Sequence, residues 1–327
     1  MIQITIYFIV HRCSKVLHKL ISSVIFIILL FSFLIIAGDI CNAGDENILY
    51  VGGSGTGNYT TIQDAINDSN DCYTVYVCGG EYYENIVIDK SINLIGSNRD
   101  TVSIFGNDKL YAILVKSSEV NISGFTIKNS KVGICILEYS SNNISENIIA
   151  NNAEGIHLDN SSNNKITKNV IRNQGGDSAI VCFESCNNII SENTFIDTSV
   201  SVYLGRWSDG NIISDNSITD YDYGIRIDFS FSNIIYGNLI KNGDRGVYLT
   251  NSKYNNITYN NIEDNDDSGI YATYLKDNVI SPNNFTNNYD NVKEGVSPPT
   301  IRAPGFEMLF VILAVFLILI LYRRNKT

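Results

Sequence analysis

Five side chains able to grip a ligand recur as one series: His157, Tyr203, Arg226, Tyr248 and Tyr271. Cys135 precedes them and Val181 fills the step after His157, so each position follows the last by 22 to 24 residues. Phenols, an imidazole and a guanidinium at regular spacing suit packing against sugar rings, because aromatic and cationic groups combine apolar surface with polar tips. Two carboxylates, Asp159 and Asp228, lie two residues further on in the same series. Cleaving a glycosidic bond needs two carboxyl groups about 5–10 Å apart. Asp159 and Asp228 are three steps apart, roughly 14 Å if one step is one strand spacing. The series therefore reads as a binding row without a catalytic pair.

The elements that must position this row are set by a repeat running from about residue 120 to 290. A marker Asn stands at 147, 169, 193, 216, 238, 260 and 283, in steps of 22 to 24 residues. A Gly followed by a β-branched residue moves in phase with it: Gly133-Ile134, Gly155-Ile156, Gly224-Ile225, Gly246-Val247 and Gly269-Ile270, with Ala179-Ile180 and Ser201-Val202 in between. A third marker, Asn-Ile, closes each unit, as in Asn143-Ile144, Asn188-Ile189, Asn211-Ile212, Asn233-Ile234 and Asn256-Ile257. Within a unit the apolar stretches are short and alternate with period two, which is the signature of strands. The pairs Ile156/Leu158, Ile225/Ile227 and Val247/Leu249 point inward, while His157, Arg226 and Tyr248 point out. One unit cannot bury its inward pair alone, but coils stacked about 4.8 Å apart make a continuous core. A β-sandwich would give irregular spacing and hairpin turns, and a leucine-rich repeat would need a helical arm. The repeat predicts a right-handed parallel β-helix of about ten coils. Asn suits its corners, since Asn tolerates left-handed backbone and its amide can bond from coil to coil.

With these residues in view, the stretch from Ile48 to about Asn291 resembles the NosD-like right-handed parallel β-helix repeat proteins of archaeal cell surfaces. Leu49-Tyr50-Val51-Gly52-Gly53-Ser54-Gly55 followed by Tyr59-Thr60-Thr61-Ile62-Gln63-Asp64-Ala65-Ile66 is similar to that family's opening strand and capping helix. Ile62, Ala65 and Ile66 form a helical stripe in agreement, and a helix there would cover an open strand edge.

The two ends speak of export. Arg12, Lys15 and Lys19, an apolar run from Ile21 to Ala37, and Cys41-Asn42-Ala43 form a secretory signal with cleavage expected after Ala43. Pro304-Gly305-Phe306-Glu307, apolar Met308 to Leu321, and then Arg323, Arg324 and Lys326 resemble the archaeal Pro-Gly-Phe sorting signal. That resemblance implies a sortase-like processing enzyme and a membrane anchor, and the basic tail places the β-helix outside. The expected organisation is a signal peptide over 1–43, the β-helix over 44–291, a linker over 292–304 and a sorting/transmembrane segment over 305–327.

The chain carries 23 basic and 34 acidic residues, with about −15 between the two terminal segments. Such a surface disfavours nucleic acid. Seven sequons, at Asn58, Asn67, Asn121, Asn143, Asn160, Asn256 and Asn284, are candidate glycosylation sites. Of the cysteines left after signal removal, Cys72 and Cys78 are the expected bridge, if the chain turns before Tyr73. Cys182 is inward and reads as a small core residue.

Enzyme and metal chemistry find little footing. The motif set Asn-Thr-Asp, Asp-Asp, Gly-His-Gly of pectinase-type β-helix enzymes is absent as a set, as is the epimerase-type Asp-Pro-His-Asp. Tyr223 to Asp228 is its nearest echo. The NosD resemblance implies copper, yet between Gly44 and Pro304 there is one His and no Met, the usual ligands of copper transport sites. Asp264-Asn265-Asp266-Asp267 offers oxygen ligands for calcium, although a polar turn explains it better. The sequence points to a non-enzymatic cell-surface β-helix, structural or binding an envelope polysaccharide or glycoprotein. A polysaccharide lyase, hydrolase or epimerase acting on acidic sugars is the alternative, and a copper-site maturation factor a weaker one.

Overall fold

The computed structural model describes residues 47–295 apart from 108, 173–175 and 177. Within them the chain winds as a parallel β-solenoid. One sheet has ten strands, from Ile48–Val51 to Asn256–Thr258, and a second has 16, with every pairing parallel. The early coils carry two short strands in the second sheet. From Thr194 onward these fuse into single bent strands of 12 residues: Thr194–Gly205, Ser217–Asp228, Leu239–Thr250 and Asn261–Ala272. The bend falls on a left-handed residue at one corner. Asn129, Asn151, Asp197, Asp220, Asn242, Asp264 and Asn287 all have φ between +53° and +61°. Asn and Asp are the non-glycine residues that adopt this conformation most readily.

The predicted inward pairs are core. Ile134/Ile136, Ile156/Leu158, Ile180/Cys182, Val202/Leu204, Ile225/Ile227, Val247/Leu249 and Ile270/Ala272 are all fully buried. They stack in register from coil to coil. The Gly marker has a steric cause. A Cβ at Gly133, Gly155, Gly224, Gly246 or Gly269 would fall within 2.8 Å of a carbonyl oxygen of the next coil.

The marker Asn residues have a different role from the one expected of corner residues. None of the seven has a left-handed φ. In six coils that conformation belongs to the residue before the marker: Glu146, Lys168, Glu192, Asp215, Gly237 and Tyr259. The marker Asn itself turns inward and is a rung. Asn193 donates its backbone N–H (2.9 Å) and its Nδ2 (3.1 Å) to Asn216 Oδ1. Asn216 repeats both bonds onto Asn238 at 3.0 and 2.9 Å. A second ladder runs through Asn142, Asn164, Asn188, Asn211, Asn233, Asn255 and Asn278. A third, of hydroxyls, runs through Ser161, Ser185, Ser208, Ser230 and Ser252. Each ladder satisfies corner N–H groups that the sheets leave unpaired, and a buried unpaired N–H costs about 1–3 kcal/mol.

The N-terminal edge is closed by the expected helix, α1 (Ile62–Asp68), capped by Thr61 and burying Ile62, Ala65 and Ile66. The strand Ile86–Ile88 and its flanks hold it. Glu84 accepts the N–H groups of Ile62 and Gln63 at 2.9 and 3.0 Å. Lys90 Nζ donates to the carbonyls of Ile66, Asn67 and Ser69. Gln63 exchanges two amide bonds with the Val87 backbone, as a neighbouring strand would.

The Cys72–Cys78 bridge is not formed. Cys78 is a free thiol, whereas Cys72 is disulfide-bonded but to none of the other four described cysteines, all of which are free. The reason is geometric: the four extended residues Thr74–Val77 separate the pair by over about 13 Å, and a disulfide tolerates about 7 Å between Cα atoms. The signal peptide with Ala43, the Pro304-Gly305-Phe306 signal and the apolar segment after it lie outside the described residues. Among the described residues no helix is long and apolar enough to cross a membrane.

Candidate functional site

The ligand row is continuous along the second sheet. Backbone register runs Cys135, His157, Val181, Tyr203, Arg226, Tyr248, Tyr271 and then Lys293, each paired with the next. Tyr203, Arg226, Tyr248 and Tyr271 are brought together on adjacent coils. His157 stands apart behind Val181. It pairs with Glu154 at 2.7 Å and reaches the others only through Phe183, whose ring lies edge-on between His157 and Tyr203, 5.8 Å from one and 5.5 Å from the other. Cys135 is covered by Tyr111, and burial pushes its thiol up to about 12.

Arg226 is the hub. Its Nε and Nη2 bind Asp228 Oδ2 at 2.8 and 2.7 Å, and the other oxygen of that carboxylate accepts from Thr250 Oγ1. Its guanidinium lies 5.1, 5.6 and 6.0 Å from the ring centres of Tyr203, Tyr223 and Tyr248. Burial opposes the Arg226 charge, but the hydrogen bond and charge of Asp228 outweigh it, so its pKa rises. The Tyr203 phenol is pushed up by burial first and by Asp228 second.

A second cluster lies one row over. Arg245 Nε and Lys293 Nζ share the Asp267 carboxylate, each at 2.5 Å. Arg245 Nη1 also donates to Tyr223 Oη at 2.7 Å. The Lys293 hydrogen bond, aided by that of Arg245, holds Asp267 below the usual carboxylate range against its burial. The rings of Tyr248 and Tyr271 stack at 4.8 Å with an interplanar angle of 17°, and Tyr223 meets Tyr248 at 5.1 Å. Sequence reasoning did not select Phe183, Arg245 or Lys293, and it noted Asp267 only within the acidic run and Tyr223 only as the start of the epimerase-motif echo. Lys293 was within reach, as the next member of the 22- to 24-residue series. Arg245 kept the count too, in register with Tyr223 22 residues before it, but Asp267 did not, because the register shift between Gly243 and Arg245 sets Ser268 opposite Arg245.

Each carboxylate of this face is bonded to a cation, and Asp159 stays three coils from Asp228 along its row. The acidic run does not converge. Asp264 accepts from Asn287, Asn265 is buried in hydrogen bonds to Asn288, and Asp267 is tied to Arg245 and Lys293. Among the described residues no three of His, Cys, Asp and Glu gather as cation ligands. Of the seven sequons, Asn67, Asn160 and Asn284 are exposed, whereas Asn58, Asn121, Asn143 and Asn256 are half-buried. None lies in an inward Asn ladder.

A family model described as the right handed beta helix region matches residues 47–218, more than half of the chain. A second, described as periplasmic copper-binding protein (NosD), matches residues 172–298. That segment contains no His, no Met and two Cys. Cys182 is fully buried, which pushes its thiol pKa up, so the donor set does not fit copper. Over 85 residues the chain is 33% identical to probable pectinesterase/pectinesterase inhibitor 39 of Arabidopsis thaliana; this is 24% of the chain and 14% of that protein. Three solved structures share the fold at low identity. DFA-IIIase from Arthrobacter chlorophenolicus has TM-score 0.57, with 14% identity over 78% of this chain and 79% of that one. Alginate lyase from a Paenibacillus species has 0.54, with 14% identity over 72% and 95%. The mannuronan C-5 epimerase A-module of Azotobacter vinelandii has 0.50, with 14% identity over 72% and 91%. Repeat, register and family match agree: the chain belongs to the right-handed β-helix family.

Proposed function

We propose that this protein is an exported β-helix, held at the outer face of an archaeal cell membrane, that binds envelope glycans through the Tyr203–Arg226–Tyr248–Tyr271 face. One observation carries this reading. Four consecutive coils place three phenols and a guanidinium side by side, with the two carboxylates within the face, Asp228 and Asp267, each bonded to a cation. Such a face is equipped to bind, while its acids are not free to act as a general acid and base. Export and anchoring are supported by the signal-like first 43 residues, the Pro304-Gly305-Phe306 pattern and the acidic surface. Replacing Tyr203, Arg226 and Tyr248 together by Ala should abolish binding of the full-length chain on a glycan array. Binding equal to that of the wild type would refute the assignment of the face. For the anchor, the intact mass of the native protein should lack the residues beyond Pro304-Gly305-Phe306.

A second reading, a polysaccharide-processing enzyme, is favoured by the Arg245–Asp267–Lys293 cluster beside Tyr223, together with neighbours of the same fold named as a lyase and an epimerase. New reducing ends or unsaturated sugars released from acidic polysaccharides would establish it. No step through copper is proposed, since the residues do not fit it.

A further inference from the structure

Tyr248 and Tyr271 present their edges outward. Tyr248 and Tyr271 stack at 4.8 Å, which is the spacing between coils. Their rings therefore lie across the solenoid axis, each with a face against its neighbour. The rings of Tyr203 and Tyr223 pack under the Arg226 guanidinium, and Arg245 lies over Tyr223 and Tyr248, 5.4 Å from each. What these side chains leave unbonded is polar. The Tyr248 and Tyr271 hydroxyls have no hydrogen-bond partner among the described residues, and that of Tyr271 lies beside Gly295. Arg226 keeps Nη1 unused and Arg245 keeps Nη2 unused. Charge collects here as well. Residues 194–295 hold seven Lys and Arg and fourteen Asp and Glu. Arg206, Arg226, Arg245 and Lys293, four of those seven, stand on this face or its rim. Only Asp228 and Asp267 of the acids lie within it, with Asp244 and Asp290 at its border.

Building on the glycan-binding reading, we propose that the ligand is an extended acidic glycan lying along the solenoid axis, about one sugar per coil, recognised by phenol hydroxyls and cationic N–H groups and not by aromatic faces. The rise of one coil is close to that of one sugar in an extended chain, so each rung meets an equivalent position on successive sugars. Tyr203 to Lys293 spans four coil steps, about 19 Å, which matches about five sugars.

The test is calorimetric titration of the full-length chain with oligomannuronates and oligogalacturonates of two to eight sugars, beside neutral cello-oligosaccharides. Affinity for the acidic series should climb to about five sugars and then level, with the neutral series much weaker. Tyr248→Phe and Tyr271→Phe keep the ring packing and the thermal midpoint, yet each should weaken pentamer binding about tenfold. Lys293→Gln should lower pentamer affinity to that of the tetramer. Phe variants that bind like the wild type, saturation at the disaccharide, or equal affinity for the neutral series would each overturn the inference while leaving glycan binding intact. No binding of any glycan by the wild type would overturn both readings.

Discussion

Asn216 accepts two hydrogen bonds from Asn193 and donates its amide to Asn238 and to the Ile190 carbonyl, all of it buried. Asn216→Ala would strand the Asn193 N–H groups without a partner, so denaturant unfolding should show a loss of about 2–4 kcal/mol. Gly243 is demanding in another way. The Tyr221 ring passes over it to reach Asn265 two coils away, with a hydroxyl bond of 2.6 Å. A Cβ at Gly243 would overlap that ring. Gly243→Ala should therefore cost about 1–3 kcal/mol by overpacking, and Tyr221→Leu in the same chain should recover part of it. The Asp267 triad sets a pH dependence. Asp267 is depressed in the folded state, so its stabilisation is present above the ordinary carboxylate range and lost as pH falls through its folded pKa, below about pH 4. Lys293, raised mainly by its hydrogen bond to Asp267, gives stabilisation that fades only as pH rises above about 10. Thermal melts of Asp267→Asn should lose the acid limb that the wild type shows. At this scale the marker Asn was legible but its job was not. A period reveals that a position is fixed, and only the backbone reveals that the left-handed strain sits one residue earlier.

At the scale of elements, α1 and the strand Ile86–Ile88 behave as one clip. Glu84 holds the first N–H groups of the helix and Lys90 its last carbonyls, while Gln63 pairs with the exposed strand edge. Glu84→Ala should raise hydrogen exchange first at Ile62 and Gln63 and then in the strand Thr74–Val77, by about 1–3 kcal/mol of local opening. The far coils, from Thr194 on, should keep their protection; a uniform rise along the chain would contradict the clip. The helix was legible because its apolar stripe of Ile62, Ala65 and Ile66 is a local signal. Its clip was not, because Glu84 and Lys90 are more than 20 residues from their partners and carry no period. The expected disulfide failed for a related reason. Cys72 and Cys78 are near in sequence, but a strand between them makes nearness in sequence a distance in space.

For the solenoid as a whole, each strand pairs only with those of the coils on either side, with side-chain reaches such as Tyr221 to Asn265 as exceptions, so stability should be close to a sum of coil terms and nearest-neighbour terms. The scaffold was legible for that reason, since every coil repeats the burial problem and solves it with the same residues in register. The face was only half legible. Its Tyr203–Arg226–Tyr248–Tyr271 row follows the period, but the bonds that fix its charges come from Asp228, Asp267 and Lys293 on other rows or later coils. The two kinds of information can be separated by removing whole coils. Deleting residues 143–164 leaves Asn142 followed by Lys165, which preserves both the Asn rung and the Ile144-to-Ile166 core column. That chain should fold, with an m-value lower by about a tenth, as expected for losing one of ten strands of the first sheet. It should also keep its glycan binding, because the deleted coil carries His157 and none of the four contiguous face residues. Deleting only residues 143–153 would instead put corner residues on strand positions where the chain after the cut meets the coil before it. Circular dichroism and urea unfolding of the two deletions, side by side, should show a cooperative transition for the first and none for the second. Loss of folding in both would mean that the coils are not the independent units their period implies.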